Sequence, residues 1–290
     1  MKKFILVIFV MLFAGVLIGC QVKEQIVIVT TAPEPPVIPS PTATIAPIPT
    51  LGIGSTMTSD KDGMTLVYVP AGEFEMGGSE QRHTEYLDAF WIDMTEVTNA
   101  QYRLCVEVGV CVERKGHATY PTSRLGNAGK YYDDSNYKDY PVVYVTWNDA
   151  NDYCGWAGRR LPTDTEWEKV ARGSDGRTYP WGEGIDCSKA NYWGCKKFST
   201  TSPVGYYDQG ASPYGALDMA GNVDEWVSDE IKLPPSNNPQ VPSLELWHLR
   251  RGGAWSYYEQ GMSSYRRTLE NVYSPYSDMT GFRCALSQPF

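Results

Sequence analysis

The sequence predicts a loop-rich α+β domain behind an export signal and a proline-rich linker. Three helix starts are legible, the strand-like runs are all short, and much of the remainder is Gly, Pro, Tyr, Asn and Ser. The hydrophobic fraction of 42% with 20% charged residues, over 290 residues, suits a globular chain and excludes wholesale disorder. The formal charge of −9 argues against a nucleic-acid binder, which needs a basic face.

Residues 1–19 read as a lipoprotein signal peptide. Lys2 and Lys3 precede an uncharged run from Phe4 to Ile18, too short for a membrane span. It ends in Leu17-Ile18-Gly19-Cys20, which resembles the bacterial lipobox. Cleavage before Cys20 would make it the first mature residue, carrying palmitate or similar chains in a membrane leaflet. Two or more acyl chains give stable anchoring where one does not. Cleavage leaves 23 basic and 34 acidic residues, so the mature chain does not depend on surface charge to stay at a membrane. The expected location is outside the cytoplasm, on a bacterial cell membrane or outer membrane.

Residues 20–58 read as the lipidated N-terminus and a Pro/Thr-rich linker. Residues 30–58 hold seven prolines and no aromatic residue, a composition that stays extended. In polyproline geometry, at about 3 Å per residue, it reaches several tens of Å.

Residues 59–290 read as one domain, long enough for a substantial core. Thr98 with Gln101 forms a capping box, and Gly109 ends that helix. Thr146 with Asp149 starts a second helix that stops at Gly158. Thr163 with Glu166 starts a third that Gly173 closes. Strands are expected at Thr65–Val69, Phe90–Met94, Val142–Thr146, Arg250–Trp255 and Gly281–Leu286. A loop-rich domain of this kind needs disulfides or bound ions as local staples.

Several segments resemble the formylglycine-generating enzyme, or sulfatase-modifying factor, family. They include Val69-Pro70-Ala71-Gly72-Glu73-Phe74, Thr95-Glu96-Val97-Thr98-Asn99, Gly158-Arg159-Arg160-Leu161-Pro162-Thr163, Tyr179-Pro180-Trp181-Gly182, Gly221-Asn222-Val223-Asp224-Glu225-Trp226, Arg251-Gly252-Gly253-Ala254-Trp255 and Gly281-Phe282-Arg283-Cys284. Order and spacing hold from about Met64 to Leu286. The resemblance implies a variant of the C-type-lectin-like fold with little regular secondary structure.

The family's oxidases use two cysteines, five positions apart, to bind copper, and soft thiolates suit Cu(I). Here those positions hold Tyr257 and Met262, and the motif serine is Ala254. No copper is therefore expected, and no residue is assigned as catalytic. Trp255, Tyr257, Tyr258, Met262, Tyr265 and Arg266 are instead candidates for ligand binding, being residue types that populate binding surfaces. Some relatives carry non-haem iron. The three histidines here, His83, His117 and His248, form no local metal motif.

The resemblance also implies calcium, a cation that takes hard oxygen donors. Its ligands would be the side chains of Asp218 and Glu225 and the carbonyls of Gly221 and Val223. A second family calcium site would begin at Asn191 and Tyr192, but the segment that should supply its acid, Cys195 to Thr201, contains none. The family further implies a Cys154–Cys284 bridge. Cys105 with Cys111 and Cys187 with Cys195 then remain, paired by proximity. A second family bridge is absent, its positions falling on Ala171 and Arg267.

Two readings of function follow. The first is a lipid-anchored, non-catalytic module for recognition or scaffolding, whose partner is a surface protein, peptide or glycan. The second is an enzyme of the same superfamily with iron-dependent or other oxidative chemistry.

Overall fold

The computed structural model describes residues 50–114, 128–195, 197–232, 246–271 and 277–287. The signal peptide, Cys20, the linker up to residue 49 and His117 lie outside the described residues.

Among the described residues, ten strands and four α-helices follow one another from residue 56. They are β1 (Thr56–Thr58), β2 (Thr65–Val69), β3 (Gly72–Met76), β4 (His83–Leu87), β5 (Phe90–Asp93), α1 (Asn99–Glu107), α2 (Ala128–Asp133), α3 (Trp147–Trp156), α4 (Asp164–Arg172), β6 (Asp224–Lys232), β7 (Leu246–Arg251), β8 (Thr268–Asn271), β9 (Thr280–Phe282) and β10 (Ala285–Ser287). One sheet has the order β1-β2-β5-β10, a second β8-β7-β6-β9, and β3 with β4 forms a separate hairpin. β1 lies ahead of residue 59 and pairs with β2 from Thr56 opposite Val67, so the folded unit begins before that position.

The first sheet is a middle layer. Leu66, Tyr68 and Trp91 face a core shared with Tyr102 of α1 and Tyr153 and Cys154 of α3. Val67, Val69, Phe90 and Ile92 face the other way, onto Trp167, Val170 and Ala171 of α4. Burial on both faces is why these strands read as unbroken apolar runs rather than as alternation.

All three expected helix starts are present with complete capping boxes at Thr98, Thr146 and Thr163. Each satisfies main-chain donors that helix geometry leaves orphaned. The chain between Asp164 and Arg172 is buried at every position except Thr165.

Three strand expectations need correction. Val142–Thr146 is no strand. Val142 donates to Val97 O, but Tyr144 takes a φ of 60° and bends the chain out of the ladder. The run expected from Arg250 to Trp255 is strand only to Arg251, because Gly252 and Gly253 take φ of 95° and 74°. The run Gly281–Leu286 divides into β9 in one sheet and β10 in the other, so Arg283 and Cys284 sit where the chain passes between sheets.

Three disulfides are formed: Cys105–Cys111, Cys154–Cys284 and Cys187–Cys195. Cys154–Cys284 ties α3 to the crossover between the two sheets, closing a separation of 130 residues.

Candidate functional site

The loop from Asp218 to Asn222 holds two of the three non-glycine residues with positive φ among the described residues. Asp218 and Asn222 take φ of 56° and 62°, left-handed values that non-glycine residues rarely adopt. Gly221, at 86°, has no room for a side chain, since a Cβ there would collide with the Asn191 carbonyl. Asn222 N in turn donates to that carbonyl at 2.9 Å. The strain gathers carboxylates under the loop.

Glu225, at the start of β6, is fully buried and forms a two-pronged pair with Arg283, both contacts at 2.7 Å. Trp167 Nε1 donates to the same carboxylate at 2.8 Å. Arg283 spends its remaining donors on the carbonyls of Asp93, Met94 and Leu217, so its guanidinium is saturated. Asp218 accepts from Gly205 N at 2.5 Å. Glu96 accepts from Asn222 Nδ2 at 2.9 Å, while its other oxygen has no partner among the described residues.

Three buried carboxylates therefore share one guanidinium. Burial raises Asp218 to about 6, and the Glu225 charge adds to the rise. Burial also holds Glu96 well above the carboxylate range, with Asp218 and Glu225 pushing the same way. The Asn191 side-chain oxygen and the Tyr207 hydroxyl are two further buried oxygens without partners beside this cluster. An all-oxygen set with excess negative charge suits a hard cation. Among the described residues, no three His, Cys, Asp or Glu side chains stand at metal-binding spacing, since Glu225 is turned onto Arg283. Glu96 was missed in the sequence. It lies 122 positions before Asp218, and only the fold brings it there.

The two expected calcium sites belong to one network. Asn222 Oδ1 accepts from Ser202 N at 2.9 Å and from Asn191 Nδ2 at 3.5 Å, while its amide reaches Glu96. Asn191 also donates to Thr200 O at 2.9 Å. Tyr192 packs into a small apolar cluster with Ala190, Cys195, Ala220 and Met262.

The two positions that hold family cysteines lie in and against that cluster. Met262 is fully buried in that cluster and presses on Gly253, where a Cβ would collide with the methionine tip and with the Gly261 carbonyl. Tyr257 is half-buried. Its phenol faces Asp224 and is pushed up to about 12, by burial first and then by that carboxyl. Asp224 is itself fully buried and raised by burial, with Arg250 offsetting part of the rise. One oxygen of Asp224 accepts from Gly253 N at 2.9 Å.

The six candidate ligand residues divide. Arg266 lies over the Tyr257 ring at 5.5 Å, and Tyr258 is 66% exposed. Trp255 is buried, donating through Nε1 to Asp278 O at 3.2 Å. Tyr265 is turned away, its ring against Gly78 and under the Arg172 guanidinium at 5.4 Å. The face gains Trp193, 43% exposed, whose ring meets Tyr258 edge-on at 6.3 Å and whose N–H donates to Tyr257 O at 2.9 Å. Its position between Cys187 and Cys195 is the signal that could have found it. His83 is exposed beside Glu85, and His248 is buried against Trp147, so these two histidines serve different sheets.

The scaffold and the loop together define a family. Residues 54–288 match the Sulfatase-modifying factor enzyme 1-like domain, and the chain belongs to that family. It is similar to the formylglycine-generating enzyme of Streptomyces coelicolor, with 31% identity across 85% of this chain and 95% of that protein. It is also 35% identical to the serine/threonine-protein kinase pkn1 of Chlamydia caviae over 76% of its own length. That match spans only 37% of the chlamydial protein. Among solved structures it resembles PvdO from Pseudomonas aeruginosa, with a TM-score of 0.64 and 26% identity, covering 82% of this chain and all of that one.

Proposed function

We propose that the chain is a non-catalytic recognition or scaffold module of the sulfatase-modifying factor family, held at a membrane by lipid on Cys20. Met262 carries this reading. At the second family cysteine position stands a side chain with no exposed surface, filling the space between Gly253, Ala190, Tyr192 and Ala220. A buried thioether and a phenol facing a carboxyl do not supply the thiolate pair that Cu(I) chemistry needs. The remaining surface, Trp193, Tyr257, Tyr258 and Arg266, offers rigid aromatic area with a cation beside it, the composition of a contact surface for a protein, peptide or glycan.

Among the described residues no helix is long and apolar enough to cross a membrane. Cys20→Ser should move the full chain from the membrane to the soluble fraction. Persistence in the membrane would remove the lipid from the proposal.

Calcium is proposed as the structural ion of the Asp218–Glu225 loop. Side chains of Asp218 and Glu96 and carbonyls of Gly221 and Val223 would hold it, with the Glu225 side chain turning from Arg283 to join them, and its charge would offset the surplus carboxylates. Melting of the full chain should rise with calcium and fall with chelator. Asp218→Ala and Glu225→Ala should lose that difference, and an unchanged calcium increment in both would end the calcium proposal.

The competing reading, an enzyme with other oxidative chemistry, draws on the likeness to the formylglycine-generating enzyme of Streptomyces coelicolor and on Asp224 beneath Tyr257. Metal analysis of the purified full chain separates the two. The recognition reading expects no copper or iron, and stoichiometric redox metal would overturn it.

A further inference from the structure

We infer that Cys187–Cys195 is a thiol–disulfide exchange site, taking a dithiol reductant as its reaction partner, and that its opening releases the Trp193 surface. Access singles this bridge out. Cys187 is exposed, whereas Cys105, Cys111, Cys154 and Cys284 are at most 7% exposed and Cys195 is 4% exposed. A reagent thiolate has to reach a sulfur in line with the bond it breaks, so access decides which disulfide reacts in the folded protein. The Tyr192 hydroxyl stands 3.8 Å from the Cys187 sulfur, placed to donate to a thiolate formed there.

The exchange proceeds in two steps. A thiolate of the dithiol attacks the Cys187 sulfur, the bond to Cys195 breaks, and a mixed disulfide forms on Cys187. Cys195 leaves as thiolate and takes up a proton. The second thiol of the reagent then attacks the mixed disulfide, frees Cys187 as a thiol and closes the reagent's own disulfide. Two electrons and two protons pass to the protein, and the dithiol is oxidised.

What the bridge closes gives the reaction its consequence. Besides the side-chain bond of Asn191 to Thr200 O and the edge contact of Trp193 with Tyr258, three attachments of the seven residues between the two cysteines bear on the candidate site. Asn191 O accepts from Asn222 N of the strained loop, Tyr192 packs on Met262, and Trp193 N donates to Tyr257 O. The apolar cluster that Tyr192 and Cys195 join is small, and only five of its residues are buried. Cutting the covalent closure returns loop entropy to this segment, and its non-covalent contacts have to hold it alone. Trp193 and Tyr258 would then part. That this alters recognition rests on the proposed function; the selective opening of the bridge does not.

The test uses the folded full chain with graded dithiothreitol, trapping by iodoacetamide and peptide mapping. Cys187 and Cys195 should take label at about tenfold less reductant than the four cysteines of the other two bridges. At that level the circular dichroism of the backbone should be intact while tryptophan fluorescence shifts. A Cys187→Ser/Cys195→Ser double variant should show the same fluorescence without reductant, and Trp193→Phe should abolish the reductant-induced change. Labelling of all six cysteines together at unfolding, or no labelling of Cys187 below it, overturns the exchange site. Selective labelling with unchanged fluorescence overturns the release of Trp193.

Discussion

Met262 and Tyr257 show how much a single position decides in this domain. The family scaffold persists around them, yet one residue fills space and the other turns its hydroxyl to Asp224. Truncating Met262→Ala should cost about 2–5 kcal/mol, the usual range for a buried large-to-small change with partial collapse. Urea denaturation measures this, and a loss below about 1 kcal/mol would mean that the cluster is not tightly packed there. Glu225 is the opposite kind of residue, polar and paired. Glu225→Gln would leave the Arg283 charge buried without its counter-ion, and breaking a buried pair from one side costs about 3–5 kcal/mol. The same denaturation experiment checks it, with Arg283→Met in the Glu225→Gln background recovering part of the loss.

At the scale of elements, local chemistry explains what could be read in advance. The three capping boxes are contained within four residues each, so Thr98, Thr146 and Thr163 mark helix starts whatever packs on them. Strands are pairings, and their partners lie far off in sequence. Val142–Thr146 has the composition of a strand but meets Val97 at only one main-chain bond, and Tyr144 then leaves the extended region. β6, with Asp224, Glu225, Ser228 and Asp229 in nine residues, reads as a polar loop until β7 and β9 flank it. β7 also carries a pH dependence. His248 is buried and stacked on Trp147 at 4.3 Å, and burial lowers its pKa below the ordinary value, partly offset by Glu230. Below pH about 6.5 the unfolded chain takes up a proton that the folded chain resists, so stability present above that pH is lost as pH falls. Asp218 and Glu96, raised by burial, act in the opposite sense over the same range, so the His248 contribution is read from the difference in melting temperature between the unaltered chain and His248→Phe, which should move against the unaltered chain as pH falls from 8 to 5.

At the scale of the whole molecule, the disulfides and the ionic layers set how the parts are held. Cys154–Cys284 links α3 to the point where the chain leaves one sheet for the other. Cys154→Ala/Cys284→Ala should lower stability by about 2–5 kcal/mol, the usual range for removing a native bridge. Thermal unfolding measures it, and a change within about 0.5 kcal/mol would assign the stability of that junction to packing alone. Where the family's other bridge is missing, Arg267 instead contacts Asp164 at 2.8 Å and Glu168 at 3.2 Å, joining a buried ionic chain with Arg251 and Arg172.

The helix starts, the family and the residues at the two family cysteine positions were legible in the sequence, whereas Cys154–Cys284 was implied only by the resemblance and Cys105–Cys111 and Cys187–Cys195 only by proximity. The legible features depend on residue identity at fixed spacing, or on which residues are present at all. The tertiary structure alone decided that Glu96 joins Asp218 and Glu225, that Trp193 stands beside Tyr258, and that Trp255 and Tyr265 turn away from the face. It also decided that the run Gly281–Leu286 serves two sheets. Those facts depend on contacts between segments tens to hundreds of residues apart. Composition and periodicity describe a segment's own faces, and they carry no information about which distant segment will cover them.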